Sequence, residues 1–441
     1  MQPRRFIVLL AIGLTACGDS TSSSQPAAAP TSLTPADPVP ETTATTGSTG
    51  TTNVGTAIET LSAVTLVGAD GRVWTHGGTR GALDGVVAAD GRTVVAIAAS
   101  SGETSATVAW LDVSTGETLA AFDIGSDLRV TAVSSSGDLA VLADAQVGGT
   151  AAATHIVAVD RRAGVLGDWS VPGNLVPEAF ADAFDGDGNG LPIGIFVIEY
   201  VRPEVYRVRV LDTVTGELSL PLNLRDKART VDEAMEAIGR TAAFDSVNRL
   251  LFTLYQGVPD GDLPTTAFVH TLGLINGVYC LDLPTDLALG DLPGAVSVDP
   301  LGRRLYVASP NGGIAAFTIR DILDPSIVPT AEPVAWVEAG STVAVLASED
   351  AVHVAINGAE GLPDGRATLI VDLDPATLVE RSRLTSDVAV EAMAMAAGGE
   401  LIVAGGGRLR VIAASGEVLE EHDLPDDVGT IVHLSLDPLR D

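Results

Sequence analysis

The chain of 441 residues is short of several things. It has two cysteines, Cys17 and Cys280, too few for a disulfide framework. A single lysine, Lys227, accompanies 24 arginines, and aromatic residues make up 4% of the chain. Six scattered histidines show no metal-ligand spacing, and there is no H-E-x-x-H, C-x-x-C or G-x-S-x-G. Gly405-Gly406-Gly407 lies between two strand-like runs, so it reads as a tight turn and not as a phosphate cradle, which needs a following helix. Positive charge is scarce overall: 57 acidic residues oppose 25 basic ones, a formal net charge of −32. Such a surface repels phosphate backbones, which sets nucleic acid aside, and it suits a cation or a basic partner.

What is present starts at the N-terminus. Arg4 and Arg5 precede an apolar run from Phe6 to Leu14 that is too short to span a bilayer. Leu14-Thr15-Ala16-Cys17 follows. This segment resembles the lipobox of bacterial lipoproteins, in which small residues precede a cysteine that is acylated as the chain is cut. The resemblance implies a signal peptide over 1–16 and a lipid on Cys17. It places the protein in the cell envelope, on the extracytoplasmic side of a membrane. Gly18 to Thr56 is Ser, Thr, Pro and Ala with three acids and no base. It lacks the apolar surface to fold and reads, over 17–56, as a tether with a mean reach of about 35 Å.

From about residue 57 to the C-terminus, alternation with period two runs with one interruption, and pairs of hairpins recur. One hairpin of each pair turns at Ala69-Asp70-Gly71, Ser114-Thr115-Gly116-Glu117, Arg162-Ala163-Gly164 and Val214-Thr215-Gly216-Glu217. Later copies are placed at Pro284-Thr285-Asp286, Leu323-Asp324-Pro325, Pro375-Ala376-Thr377 and Ala414-Ser415-Gly416. The steps between the first four glycines are 45, 48 and 52 residues. About four strands every 40–50 residues is the β-propeller period, because one four-stranded sheet cannot bury both its faces and a ring of sheets can. The pattern predicts an all-β fold with seven complete four-stranded blades, strands a to d. A composite blade is left over: c and d strands at Ser62 to His76, an a strand at Thr430 to Leu436, and a b strand missing or supplied near Gly55 to Glu59. Eight blades are therefore expected, with seven as the alternative.

The clearest hairpin is Ala295 to Ala308, AVSVDPLGRRLYVA. Asp299, Pro300, Gly302, Arg303, Leu305, Tyr306 and Val307 resemble the YVTN-type propeller repeat, and the L-D-x-x-T-G-E hairpins are similar to quinoprotein-type repeats. That likeness implies a tryptophan near the end of a unit that docks the next blade, a place held here by Trp74 and Trp169, with Phe122 and Leu220 in the corresponding strands elsewhere. It concerns blade architecture and brings no catalytic residue.

One stretch breaks the β pattern. Thr230-Val231-Asp232-Glu233 has the form of a capping box, and Val231, Ala234, Met235 and Ile238 share a helical face, which predicts a two-turn helix ending at Gly239. Long connections are expected on one rim, at Asp144 to Thr154, Gln256 to Asn276 and Asn357 to Ala367, with Asp260, Asp262, Glu360 and Asp364 as ligand-facing acids. Asp185-Gly186-Asp187-Gly188-Asn189-Gly190 has half of a calcium-loop spacing, so Asp185, Asp187, Asn189 and the carbonyl of Leu191 are candidate calcium ligands, with Asp182 or Glu199 as a further one. Cys280 lies in a strand and reads as buried packing. The expected function is a membrane-anchored binding or scaffolding module for a protein or small ligand. The alternative is a propeller enzyme, lactonase-like or quinoprotein dehydrogenase-like.

Overall fold

Ala295–Val298 pairs antiparallel with Arg304–Ala308 in the register Val296 to Val307 and Val298 to Leu305, as the hairpin pattern predicts. In this computed structural model the described residues are 56–436, except for 61–63, 68–72, 77–83, 89–92, 100–104, 113–116, 126–127, 146–148, 182–193, 258–266, 275–276, 284–286, 288–293, 338–339, 364, 397–398 and 424–430. Among them the strands form six four-stranded antiparallel sheets and one sheet of nine strands. First strands touch from unit to unit: 129–133 with 84–87 and 174–181, 295–298 with 234–245 and 341–347, and 392–395 with 341–347 and 431–436. The first strands therefore line the axis, and the fold is a β-propeller. The ring is closed by the sheet that joins the chain ends, where Ile431–Leu436 pairs with Thr56–Thr60, followed outward by Val64–Val67 and Val73–His76. The missing b strand thus comes from the N-terminal side, and closure leaves the sheet ends protected.

Alternation explains why these runs are strands. In Leu305-Tyr306-Val307, Leu305 and Val307 pack toward the preceding unit, and Tyr306 packs toward the following one. Each strand so serves two interfaces, and burial on both faces stabilises by roughly 25 cal/mol per Å² of apolar surface. The recurrent aspartate has an equally local cause. Asp160 and Asp212 end third strands and Asp374 directly follows one, and each carboxylate accepts the N–H groups two and three residues on, at 2.7–2.9 Å. This side-chain turn explains the L-D-x-x spacing. Asp245 does the same in a first hairpin, to Val247 and Asn248.

Tight turns also lock neighbouring units together. Gly137 has φ +71°, and a Cβ there would lie 2.7 Å from Thr93 Cβ of the preceding unit. The indole N–H of fully buried Trp110 donates to the Gly137 carbonyl at 2.9 Å. Trp169 presses on Gly216 of the next unit, as expected of a docking tryptophan, but Trp110, on a third strand, makes the hydrogen bond. At the other end of the strands, buried Thr154 and Thr368 each bind the linker to the next unit, through Gly173 O at 2.7 Å and Val388 O at 2.8 Å.

Three sequence expectations fail. The capping-box helix is absent: 231–233 is irregular and Ala234–Asp245 is a twelve-residue strand. Its two edges satisfy Val205–Arg207 on one side and Leu250–Gly257 on the other, which outweighs a short helix's marginal propensity. Within the predicted loop from Gln256 to Asn276 lies a buried strand, Ala267–Gly273, paired on both sides. The second hairpin of that unit therefore joins Ala267–Gly273 to the outer strand Gly277–Asp282, and Pro284-Thr285-Asp286 lies outside the described residues. At Leu323-Asp324-Pro325 the chain does turn, with the Ile327 N–H donating to the Asp324 carbonyl at 3.2 Å, but the turn does not close a hairpin. The helix Ile319–Leu323 and a connection through the cis Glu332-Pro333 bond join Gly313–Thr318 to Val334–Trp336.

Candidate functional site

The nine-stranded sheet is where the ring departs from its own pattern. In the unit that begins with Asn174–Ala181, the third strand, Val205–Asp212, should carry a full outer strand. Instead Leu218–Ser219 covers only Val210 and Leu211. The chain then leaves to pair Leu222–Asn223 in parallel with Gly277–Val278 of the following unit. It returns to cover Val205–Arg207 with Ala234–Glu236, the start of that following unit's first strand. One crossover is thus hydrogen-bonded to both units.

Named side chains hold the crossover down. Asn223 Oδ1 accepts the N–H groups of Arg225 and Asp226, both at 2.9 Å. The Arg225 guanidinium stacks 4.9 Å from the Tyr279 ring centre, donates to the Tyr279 hydroxyl at 2.8 Å, and reaches the Asp324 carbonyl of the next unit at 2.5 Å. Gly273 and Gly277 leave room for Leu224, and Lys227 Nζ lies where a Gly277 Cβ would come within 2.6 Å. Burial of Lys227 there holds its ammonium below the usual lysine range. Asp232 is fixed by Arg209 at 2.8 Å, and Arg209 and Arg207 each hold Glu199 at 3.1 Å.

Beneath the crossover is a cavity of about 60 Å³ lined by Val208, Asn223, Val231, Glu233, Met235, His270 and Val278 to Cys280. Register places its polar members. His270 stands directly opposite Cys280 on adjacent strands, and Met235 opposite Tyr206. Cys280 Sγ lies 3.6 Å from Met235 Sδ. Burial, with Glu233 and Asp282 nearby, pushes the Cys280 thiol up to about 12. Sequence reading separated these residues because it placed Met235 on a helix and lost His270 in a loop. Cys280 itself was legible as a strand residue, and it is half-buried.

Of the acids expected to face a ligand, Asp260, Asp262 and Asp364 lie outside the described residues, as do Cys17 and the calcium candidates Asp185, Asp187, Asn189 and Leu191 with Asp182. Glu360 is exposed, in the connection 358–367 between Val352–Asn357 and Thr368–Leu373. This connection is an extended one, as predicted, with Gly358, Gly361 and Gly365 at φ +63°, +77° and +79°. Arg366 reaches Asp387 at 3.2 Å, and Arg410 beside Asp387 holds its carboxyl below the ordinary range. Glu199 is the one calcium candidate that falls among the described residues. It is bound by two arginines and lies five residues, about 16 Å, up the strand from Gly194. Among the described residues no three His, Cys, Asp or Glu side chains converge as a metal cluster, and no helix is long and apolar enough to cross a membrane.

No family model and no curated protein matches the chain. Among solved structures it is similar to the dihydro-haem d1 dehydrogenase NirN in complex with DHE, with a TM-score of 0.51 and 14% identity over 88% of this chain and 76% of that one. It is also similar to hydrazine synthase of Kuenenia stuttgartiensis, with a TM-score of 0.41 and 15% identity over 67% of this chain and 86% of that one. An uncharacterized protein of Listeria monocytogenes gives a TM-score of 0.43 and 9% identity over 78% and 94%. The likeness to NirN is one of fold, in keeping with the ring of four-stranded units.

Proposed function

We propose that the protein is an exported propeller, tethered to a membrane by a lipid on Cys17, that binds or scaffolds an extracytoplasmic protein or small ligand through the rim bearing the long connections. The observation that carries this reading is the connection 358–367. It projects exposed Glu360 from two strands whose base, Thr368, is bonded to the next unit's linker. Exposed loops on a rigid scaffold are the usual place for recognition. The net charge of −32 favours a basic partner. The Asp185 to Gly190 loop is assigned a weak structural calcium ion that steadies one blade corner on the other rim. Calorimetry with calcium on wild type and Asp187→Ala tests that part, and no binding heat in the wild type would remove it.

The test of the main reading is a cross-linked pull-down from the cell envelope with the lipidated chain. It is compared with a variant carrying Asp260→Asn, Asp262→Asn, Glu360→Gln and Asp364→Asn. Loss of the captured partner in the variant supports the assignment, and equal capture overturns it. A chromophore that copurifies with the chain, or turnover of a lactone panel, would instead establish the enzyme reading.

A further inference from the structure

The cavity under the crossover sets two sulfur atoms side by side, with an imidazole on the next strand. Cys280 Sγ and Met235 Sδ are 3.6 Å apart. His270, 2% exposed, faces Cys280 across the strand pair, and all three line the same space. We propose that this cavity is a binding site for one copper(I) ion, with Cys280 and Met235 as sulfur ligands and the His270 ring as the nitrogen ligand.

Three observations carry the proposal. The first is geometry. With metal–sulfur bonds of about 2.3 Å, sulfurs 3.6 Å apart subtend about 100° at a shared metal, within the range of three- and four-coordinate sites. Second, the donors select the metal: thiolate with thioether suits copper(I), whereas calcium and magnesium require oxygen. Counting methionine sulfur is what makes the group visible, since His, Cys, Asp and Glu alone form no cluster among the described residues. Third, size and field agree. About 60 Å³ admits an ion but not an organic ligand, which takes about 300–1,000 Å³. Glu233 and Asp282 supply negative charge beside the thiol.

Binding exchanges one cation for another. The Cys280 S–H bond breaks as the S–Cu bond forms, the proton leaves to solvent, and copper stays in the +1 state throughout. All three ligands stand on strands of the following unit: His270 and Cys280 on its third and fourth strands, and Met235 on the stretch of its first strand that also pairs with Tyr206 of the preceding unit. A bound ion would therefore tie the end of the crossover to the outer strands of its unit and raise the melting temperature.

The test uses the full chain with Cys17→Ser, so that Cys280 is the sole thiol, titrated anaerobically with copper(I) held by a chromophoric chelator. One equivalent should transfer. Cys280→Ser and Met235→Leu should each weaken binding by at least about 100-fold, the upper end of what loss of an outer-shell partner costs. Zinc(II) in equal amount should not compete. X-ray absorption on the loaded parent chain should show two sulfur neighbours at about 2.3 Å, a readout that does not depend on the variants folding. Failure of the chain to take copper(I) from the chelator, undiminished affinity in Met235→Leu, or a metal shell without sulfur would each overturn the proposal.

Discussion

The Asn248 side-chain amide donates to the backbone carbonyl of Gly302 at 2.8 Å, joining two first-hairpin turns that lie 54 residues apart. The same amide donates to Asp245 at 2.7 Å, so the turn that shapes one unit also grips the next. Gly302 has φ +63°, and a Cβ there would sit 2.5 Å from Asn248 Nδ2 and 2.7 Å from Asp245 Oδ1. Asn248→Ala should therefore cost about 1–3 kcal/mol, from a lost bond and an orphaned carbonyl. Gly302→Ala should cost about 1–2 kcal/mol for the left-handed backbone alone, with the clash added. Denaturant melts of both variants check this; a neutral Gly302→Ala would mean that the two turns are not in contact.

Tyr306 makes the corresponding bond to the next unit. Its hydroxyl donates to the Pro375 carbonyl at 2.9 Å, and burial pushes the phenol up to about 12. Tyr306→Phe keeps the packing and removes the bond, so a loss of about 1 kcal/mol is expected, with no change in secondary structure by circular dichroism. A larger loss with altered spectra would indicate a packing role instead.

Acid should loosen the turn at Asp374. The N–H of Thr377, the Arg381 guanidinium and the Thr377 hydroxyl hold its carboxyl at about 2, against 3.8 for the free group. A folded value below the unfolded one contributes stability that is fully present above pH 3.8 and lost as pH falls toward 2. Asp374→Asn should accordingly show a shallower fall in melting temperature between about pH 4 and 2 than the parent chain. Parallel curves for the two proteins would remove Asp374 from the acid response.

Lipidation is tested on the intact chain in its host. Metabolic labelling with an acyl probe should mark the protein, and Cys17→Ala should abolish the mark and release the chain from membranes. A variant that stays labelled and membrane-bound would exclude the lipid anchor.

Repeat period and most hairpin turns were legible in the sequence because they rest on contacts close in the chain, and closure by the chain ends followed from the strands left over at each end. Asp160, Asp212 and Asp374 bond to their own next residues, and Leu305-Tyr306-Val307 needs only the pleat to face two neighbours. A crossover between the two units was legible, but its extended course, paired to both, was not. Thr230 to Glu233 has helix-start chemistry, yet the outer edges of two units left unpaired strand groups that only an extended chain could satisfy. Ala267–Gly273 was hidden for a related reason: a strand buried on both faces loses the alternation that marks a half-exposed one. The joining of Met235, His270 and Cys280 followed from those two events. Sequence determined which residues could turn, alternate and bury; only the meeting of two sheet edges, a matter of long-range pairing, decided that these three would share one cavity.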